Sequence, residues 1–150
     1  ERRAEAPKEG RDVKKMKILV VEDDFLSRSL LTKIVSDYAT IKIAVDGIEA
    51  VEAVKRSYEI KKPYDLIFLD IMMPRKDGQA ALKEIRAFEE SVGVSALETS
   101  KVVMTTALGD AKNVMAAFGS QCEAYVTKPF SKKIIDEQVR KLLPEFFRAT

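Results

Sequence analysis

The chain has 150 residues, 46% of them hydrophobic and 33% charged, which is enough for one hydrophobic core but short for two, so a single domain is expected. No apolar run approaches the roughly 20 residues that cross a bilayer, and the amino terminus is charged where a secretory leader would be apolar, so a cytoplasmic protein is expected. One cysteine, Cys122, and no histidine exclude an internal disulfide and imidazole chemistry, leaving carboxylates, hydroxyls, lysines and a metal.

The net charge of +2 belongs to one end: Glu1 to Lys15 hold six Lys or Arg against four Asp or Glu, and the remainder balances at twenty against twenty. That stretch has Val13 as its one apolar residue larger than Ala and contains Pro7 and Gly10, so residues 1–15 read as a disordered charged tail or linker and 16–150 as the domain, with Met16 a natural start. Its mixed sign gives little support to nucleic-acid binding.

Lys17 to Val21 (KILVV) is a β-branched apolar run cut short by Glu22-Asp23-Asp24 and predicts a buried strand. Leu26, Leu30, Leu31, Ile34, Val35 and Tyr38 then recur at helical spacing, with Asp24 as a cap. Thr40 to Ala44 is a second strand. Asp46 caps a helix striped by Ile48, Val51 and Val54, and Pro63 precedes a third strand, Tyr64 to Leu69, ending at Asp70. The Asp77-Gly78 turn opens a helix with Ala81, Leu82, Ile85 and Phe88, and Glu89 to Ser100 reads as a helix end and a loop. Lys101 to Thr105 is a fourth strand, Asp110 to Phe118 a helix closed by Gly119, and Glu123 to Val126 a fifth strand. Ser131 caps a last helix with Ile134, Ile135, Val139, Leu142 and Leu143 inward. Five apolar strands alternating with five helices specify an α/β fold, a parallel sheet covered on both faces.

Ligands of such open sheets sit outside the carboxyl ends of the strands. The first, third, fourth and fifth strands end here in Glu22 and Asp23, in Asp70, in Thr105 and Thr106, and in Lys128. Clustered carboxylates repel unless something positive lies among them, and Mg²⁺ with Lys128 suits this sparse oxygen set better than Ca²⁺, which wants more ligands. Taken singly, an Asp at a strand end is often only a helix cap, the preferred reading for Asp24, and Lys128 alone would be a surface lysine.

Val20 to Asp24 (VVEDD), Leu69 to Pro74 (LDIMMP), Asp77-Gly78, Met104 to Ala107 (MTTA) and Val126 to Phe130 (VTKPF) together resemble the receiver domain of two-component response regulators. The resemblance covers nearly all of Lys17 to Leu143 and implies a CheY-like, flavodoxin-like sheet in the order 2-1-3-4-5. It implies that Asp70 is the phosphoacceptor, that Glu22 and Asp23 are the acidic pair, and that Asp23, Asp70 and the Met72 backbone carbonyl hold Mg²⁺, with Mn²⁺ as a substitute. Thr106 would contact the phosphoryl group, Lys128 would balance its charge, and Tyr125 would be the switch aromatic. A cis peptide between Lys128 and Pro129 is also implied. The family further implies a signalling domain that catalyses only its own phosphorylation and dephosphorylation. Its donor would be a histidine kinase or phosphotransfer protein, in chemotaxis or another phosphorelay. Its output would be contact with a protein target through the face of the fourth helix, fifth strand and last helix, as a monomer or a phosphorylation-dependent dimer. No membrane partner is expected.

Met72 and Leu108, two residues beyond the acceptor and the threonine, occupy positions that influence acyl-phosphate hydrolysis in this family, and both are apolar, which implies a long-lived phosphorylated form. The segment 89–100 is longer than usual for the family. Three other readings compete. A receiver section of a larger regulator or hybrid kinase shares all these residues; an aspartyl-nucleophile phosphatase would need a second Asp where Met72 stands; a degenerate interaction module would not keep the full pocket. A nucleotide site lacks its glycine-rich loop.

Overall fold

The computed structural model describes residues 15–107 and 121–148. The strands are β1 (Met16–Val21), β2 (Ala39–Ala44), β3 (Leu66–Asp70), β4 (Lys101–Thr106) and β5 (Ala124–Thr127), and the helices α1 (Phe25–Val35), α2 (Gly47–Glu59), α3 (Gly78–Ser91) and α4 (Lys132–Leu142), followed by a 3₁₀ turn, Pro144–Phe147. All strand pairs are parallel, in the order β2-β1-β3-β4-β5. The predicted helix 110–118 lies outside the described residues. Among the described residues no helix is long and apolar enough to cross a membrane.

The sequence pattern explains the layering. β3 lies in the middle of the sheet and is buried at all five positions, as a continuous apolar run requires, whereas the edge strand β2 is buried only at its two ends and exposes Thr40, Lys42 and Ile43. Leu19, Val21, Ile67, Leu69, Val102 and Met104 pack on one face of the sheet with Ala50, Val51 and Val54 of α2 and Ala81, Leu82 and Ile85 of α3. On the other face Ile18, Val20, Phe68 and Val103 pack with Leu31, Ile34 and Val35 of α1 and Ile135 and Val139 of α4. Each such side chain contributes about 1.5–3 kcal/mol on burial.

Four side chains cap four helices. Asp24 accepts from the Ser27 amide at 2.8 Å, Asp46 from Glu49 at 2.9 Å, Asp77 from Ala80 at 2.8 Å and Ser131 from Ile134 at 3.4 Å. Asp24 thus has the capping role read from the sequence.

Three apolar stripes differ from expectation, each by one residue around a helix. Leu31, Ile34 and Val35 face the sheet, so Leu26 and Leu30, about 100° off that line, are exposed with Phe25. Ile134 is exposed beside buried Ile135 for the same reason. In α3 the inward line runs Leu82, Ile85, Glu89, which leaves Phe88 half-buried and buries a carboxylate. Glu89 is satisfied there by the Tyr58 hydroxyl at 2.6 Å, the Ser100 amide at 2.9 Å and Arg86 Nη1 at 2.7 Å. Arg86 also donates to the carbonyls of Ser100 and Gln121 and to Glu123, joining α3 to the starts of β4 and β5. The segment 89–100 therefore holds the last helical turn and a loop whose root is this polar network. β3 begins at Leu66, with Tyr64 buried ahead of it, and includes Asp70.

Candidate functional site

β1 ends at Val21 and β3 at Asp70, adjacent strands in register with Val21 opposite Leu69, so Glu22 and Asp70 arrive side by side at the carboxyl rim. The Glu22 amide donates to the Ala44 carbonyl at 3.1 Å, which extends the β1–β2 ladder one residue and holds Glu22 pointing into the rim. Glu22 is 1% exposed and Asp70 3%, while Asp23 is exposed at the mouth. Carboxylate oxygens of these three residues lie within 4.8 Å of one another.

The β5–α4 connection brings Lys128 to them. Its amide donates to the Thr106 carbonyl at 2.8 Å, the peptide to Pro129 is cis, and its ammonium lies 2.7 Å from Glu22 Oε1 and 3.4 Å from Asp70 Oδ1. Burial, followed by the neighbouring Glu22, pushes the Asp70 carboxyl up to about 7 against the pull of Lys128. Burial works against the Lys128 charge, but the two carboxylates outweigh it and raise its pKa. The Asp70 carboxyl is therefore held toward its protonated form, and positive charge entering the site would favour the carboxylate.

The donor set fits a hard cation. Glu22 Oε2 accepts from the Asp24 amide at 3.1 Å and Oε1 pairs with the Lys128 ammonium at 2.7 Å. Three carboxylates grouped around a single ammonium leave surplus negative charge and oxygen donors that suit Mg²⁺.

The remaining predicted residues fall around this centre. Met72 follows Asp70 by two residues and is 72% exposed. Thr105 is a strand residue whose carbonyl accepts from the Ile71 amide at 3.1 Å. Thr106 ends β4, is 2% exposed, and among the described residues its hydroxyl donates at 3.4 Å to the Ala107 carbonyl, a long contact. Tyr125 pairs with Met104, and the alternation of a strand puts Met104 and Thr106 on one face, so Tyr125 and Thr106 share the α2/α3 face on neighbouring strands. Tyr125 is half-buried against that cluster. Leu108 lies outside the described residues. Cys122 is buried, which pushes its thiol up and away from reactivity.

The roles of two further residues were not read from the sequence. Arg28 Nη1 donates to the carbonyls of Glu22 at 3.0 Å and Asp23 at 3.3 Å, bracing the acidic turn from the first turns of α1. Gly78 is the second: a Cβ there would lie 2.1 Å from the Asp70 carbonyl oxygen, so only glycine lets α3 start against the Asp70 backbone. Its pairing with Asp77 was the available signal.

The profile of the response regulator receiver domain matches residues 18–140. The chemotaxis protein CheY of Listeria monocytogenes is 33% identical over 84% of this chain and 97% of its own length. A structure of a CheX-CheY-BeF3-Mg²⁺ complex from Borrelia burgdorferi aligns with TM-score 0.74 and 27% identity, over 89% of this chain and 94% of its own. The structure of the Saccharomyces cerevisiae phosphotransfer protein Ypd1 with the receiver domain of the response regulator Ssk1 aligns with TM-score 0.73 and 27% identity, over 85% of this chain and 88% of its own. Other curated relatives are longer, and the chain spans 50% and 51% of two of them. On this sheet order, this rim and these matches, the chain belongs to the response regulator receiver domain family of two-component signalling.

Proposed function

We propose that Asp70 accepts a phosphoryl group from the phosphohistidine of a histidine kinase or phosphotransfer protein, and that the phosphorylated chain acts by contact with a protein target. The observation that carries this reading is Asp70 itself: a buried carboxylate at a strand end, 3.4 Å from a lysine and grouped with two more carboxylates. Asp23, Asp70 and the Met72 carbonyl would hold Mg²⁺, or Mn²⁺, which when bound would offset charge on the transferring group. Asp70 attacks phosphorus as a carboxylate, Lys128 neutralises charge on the phosphoryl oxygens, and Glu22 holds Lys128 in place. Thr106 then turns its weakly engaged hydroxyl to a phosphoryl oxygen, and Tyr125, on the same face, repacks into the space released.

The named partners of the similar structures, CheX and a phosphotransfer protein, support donors and targets that are proteins. A second reading, a receiver section of a longer regulator, is favoured by the relatives of which this chain spans about half. Incubation with Mg²⁺ and acetyl phosphate tests the core of the proposal. An alkali-labile mass adduct in the wild type, absent in Asp70→Asn, is expected; no adduct overturns it, and turnover of a phosphomonoester would indicate a phosphatase.

A further inference from the structure

We propose that Arg75, Asp46 and Gly47 form a clamp that positions the β3–α3 connection and thereby sets the metal affinity of the acidic site, an inference that rests on the reading of that site given above. Residues 71–77 carry the Met72 carbonyl. The connection is fixed at its ends by the Ile71 amide on the Thr105 carbonyl at 3.1 Å and by the Gly78 amide on the Ile71 carbonyl at 2.9 Å. Between those ends the exposed Met72 side chain is no anchor.

Met73 packs against the α2/α3 core and the Lys76 ammonium pairs with Glu84 of α3; a third anchor comes from the side, out of the start of α2. Arg75 Nε and Nη2 lie 2.6 and 2.5 Å from Asp46 Oδ2. Asp46 is 4% exposed and its other oxygen is engaged by the Glu49 amide at 2.9 Å, so its carboxylate is fixed from both sides. One residue on, the Gly47 amide donates to the Lys76 carbonyl at 3.0 Å, and a Cβ at 47 would lie 2.3 Å from that oxygen. Side chain and backbone of α2 therefore grip successive residues of the connection, three and four positions after Met72.

Arg75 also has φ +65°, the left-handed region that favours glycine. A surface turn of that shape would ordinarily carry Gly or Asn; an arginine held there is explained by what its guanidinium reaches. Groups that orient metal ligands from outside the coordination shell change affinity by about 10–100-fold when removed. Arg75 and Asp46 are thus positioning residues, acting through the backbone that follows Asp70.

Calorimetric titration of Mg²⁺ into the full chain separates the possibilities. The variants are Arg75→Gly, which suits the local φ; Arg75→Lys; Asp46→Ser, which keeps a capping oxygen; the pair Arg75→Gly with Asp46→Ser; and Asp23→Asn as the control for the site. We expect Mg²⁺ to bind about tenfold more weakly to Arg75→Gly and to Asp46→Ser, no further loss in the double variant, and partial recovery in Arg75→Lys. Arg75→Gly binding within about twofold of wild type, while Asp23→Asn abolishes binding, overturns the clamp and leaves the site intact. Mg²⁺ binding that is absent from wild type, or unchanged in Asp23→Asn, overturns the reading of the site and the clamp with it.

Discussion

Lys128 lies 2.7 Å from Glu22 and 3.4 Å from Asp70, nearer to the carboxylate that holds it than to the one it serves. One ammonium therefore stabilises two buried acids. Lys128→Ala leaves Glu22 uncompensated and is expected to cost about 3 kcal/mol of stability as well as labelling by acetyl phosphate. Glu22→Gln should keep the fold and lower the Asp70 pKa, since a like charge is removed. Thermal melts and labelling rates of the two variants check this ordering.

The raised pKa of Asp70 makes a signed prediction for metal-free protein. With a folded value of about 7 against an unfolded 3.8, Asp70 favours the folded state fully at low pH, and that contribution is lost as pH rises through 7. Asp70→Asn, neutral throughout, should therefore melt higher than wild type above pH 7, by on the order of 5 °C, and match it near pH 4. Melting curves in chelator across that range are the measurement; a gain that grows toward acid pH would contradict the assignment.

Gly78→Ala offers a test of sign. At the first turn of an ordinary helix this change stabilises by about 0.5–1 kcal/mol. Here the new Cβ would lie 2.1 Å from the Asp70 carbonyl oxygen, with Asp70 and Ile71 backbone as neighbours that cannot rotate away. A loss of about 2–4 kcal/mol by denaturant titration is expected, together with slower labelling, because the acceptor's own backbone must move.

Glu89 is buried with three donors aimed at it. Glu89→Ala should cost about 3 kcal/mol, and Glu89→Gln less, since an amide oxygen in place of Oε2 keeps Tyr58 and the Ser100 amide. Neither variant should prevent labelling at Asp70, which lies at the opposite end of the strands.

For phosphoryl lifetime the sequence-based expectation stands as a proposal: Met72→Asn with Leu108→Glu should shorten it, measured by the decay of the mass adduct. An unchanged decay would remove these apolar side chains from the account.

Most of the site was legible because its residues sit at the ends of apolar runs, where pattern and chemistry coincide. Asp70 and Thr106 end a strand and Glu22, Asp23 and Lys128 follow one, and a parallel sheet brings such ends together whatever the loops do. The stripes of α1 and α4 were legible only to within 100°, since hydropathy names apolar residues but not which of two adjacent leucines or isoleucines faces the sheet. The burial of Glu89, and the pairing of Asp46 with Arg75 beyond the capping role read for it, were hidden for the opposite reason. Both depend on partners far along the chain, Tyr58 and Ser100 for one and Arg75 for the other, and no local pattern encodes such pairings.

Thr106 and Tyr125 share one side of the sheet with α2 and α3, while α1 and α4 close the other over Phe68, Val103 and Val126. The molecule is accordingly two half-cores back to back, with a single layer of strands as the partition between them. Under the proposed switch, rearrangement around Tyr125 would draw on the α2/α3 compartment. α1, packed on the far side of the sheet, would keep its packing, so its amides should exchange with solvent at the same rate whether or not Asp70 is modified, a still foundation against which the moving half works.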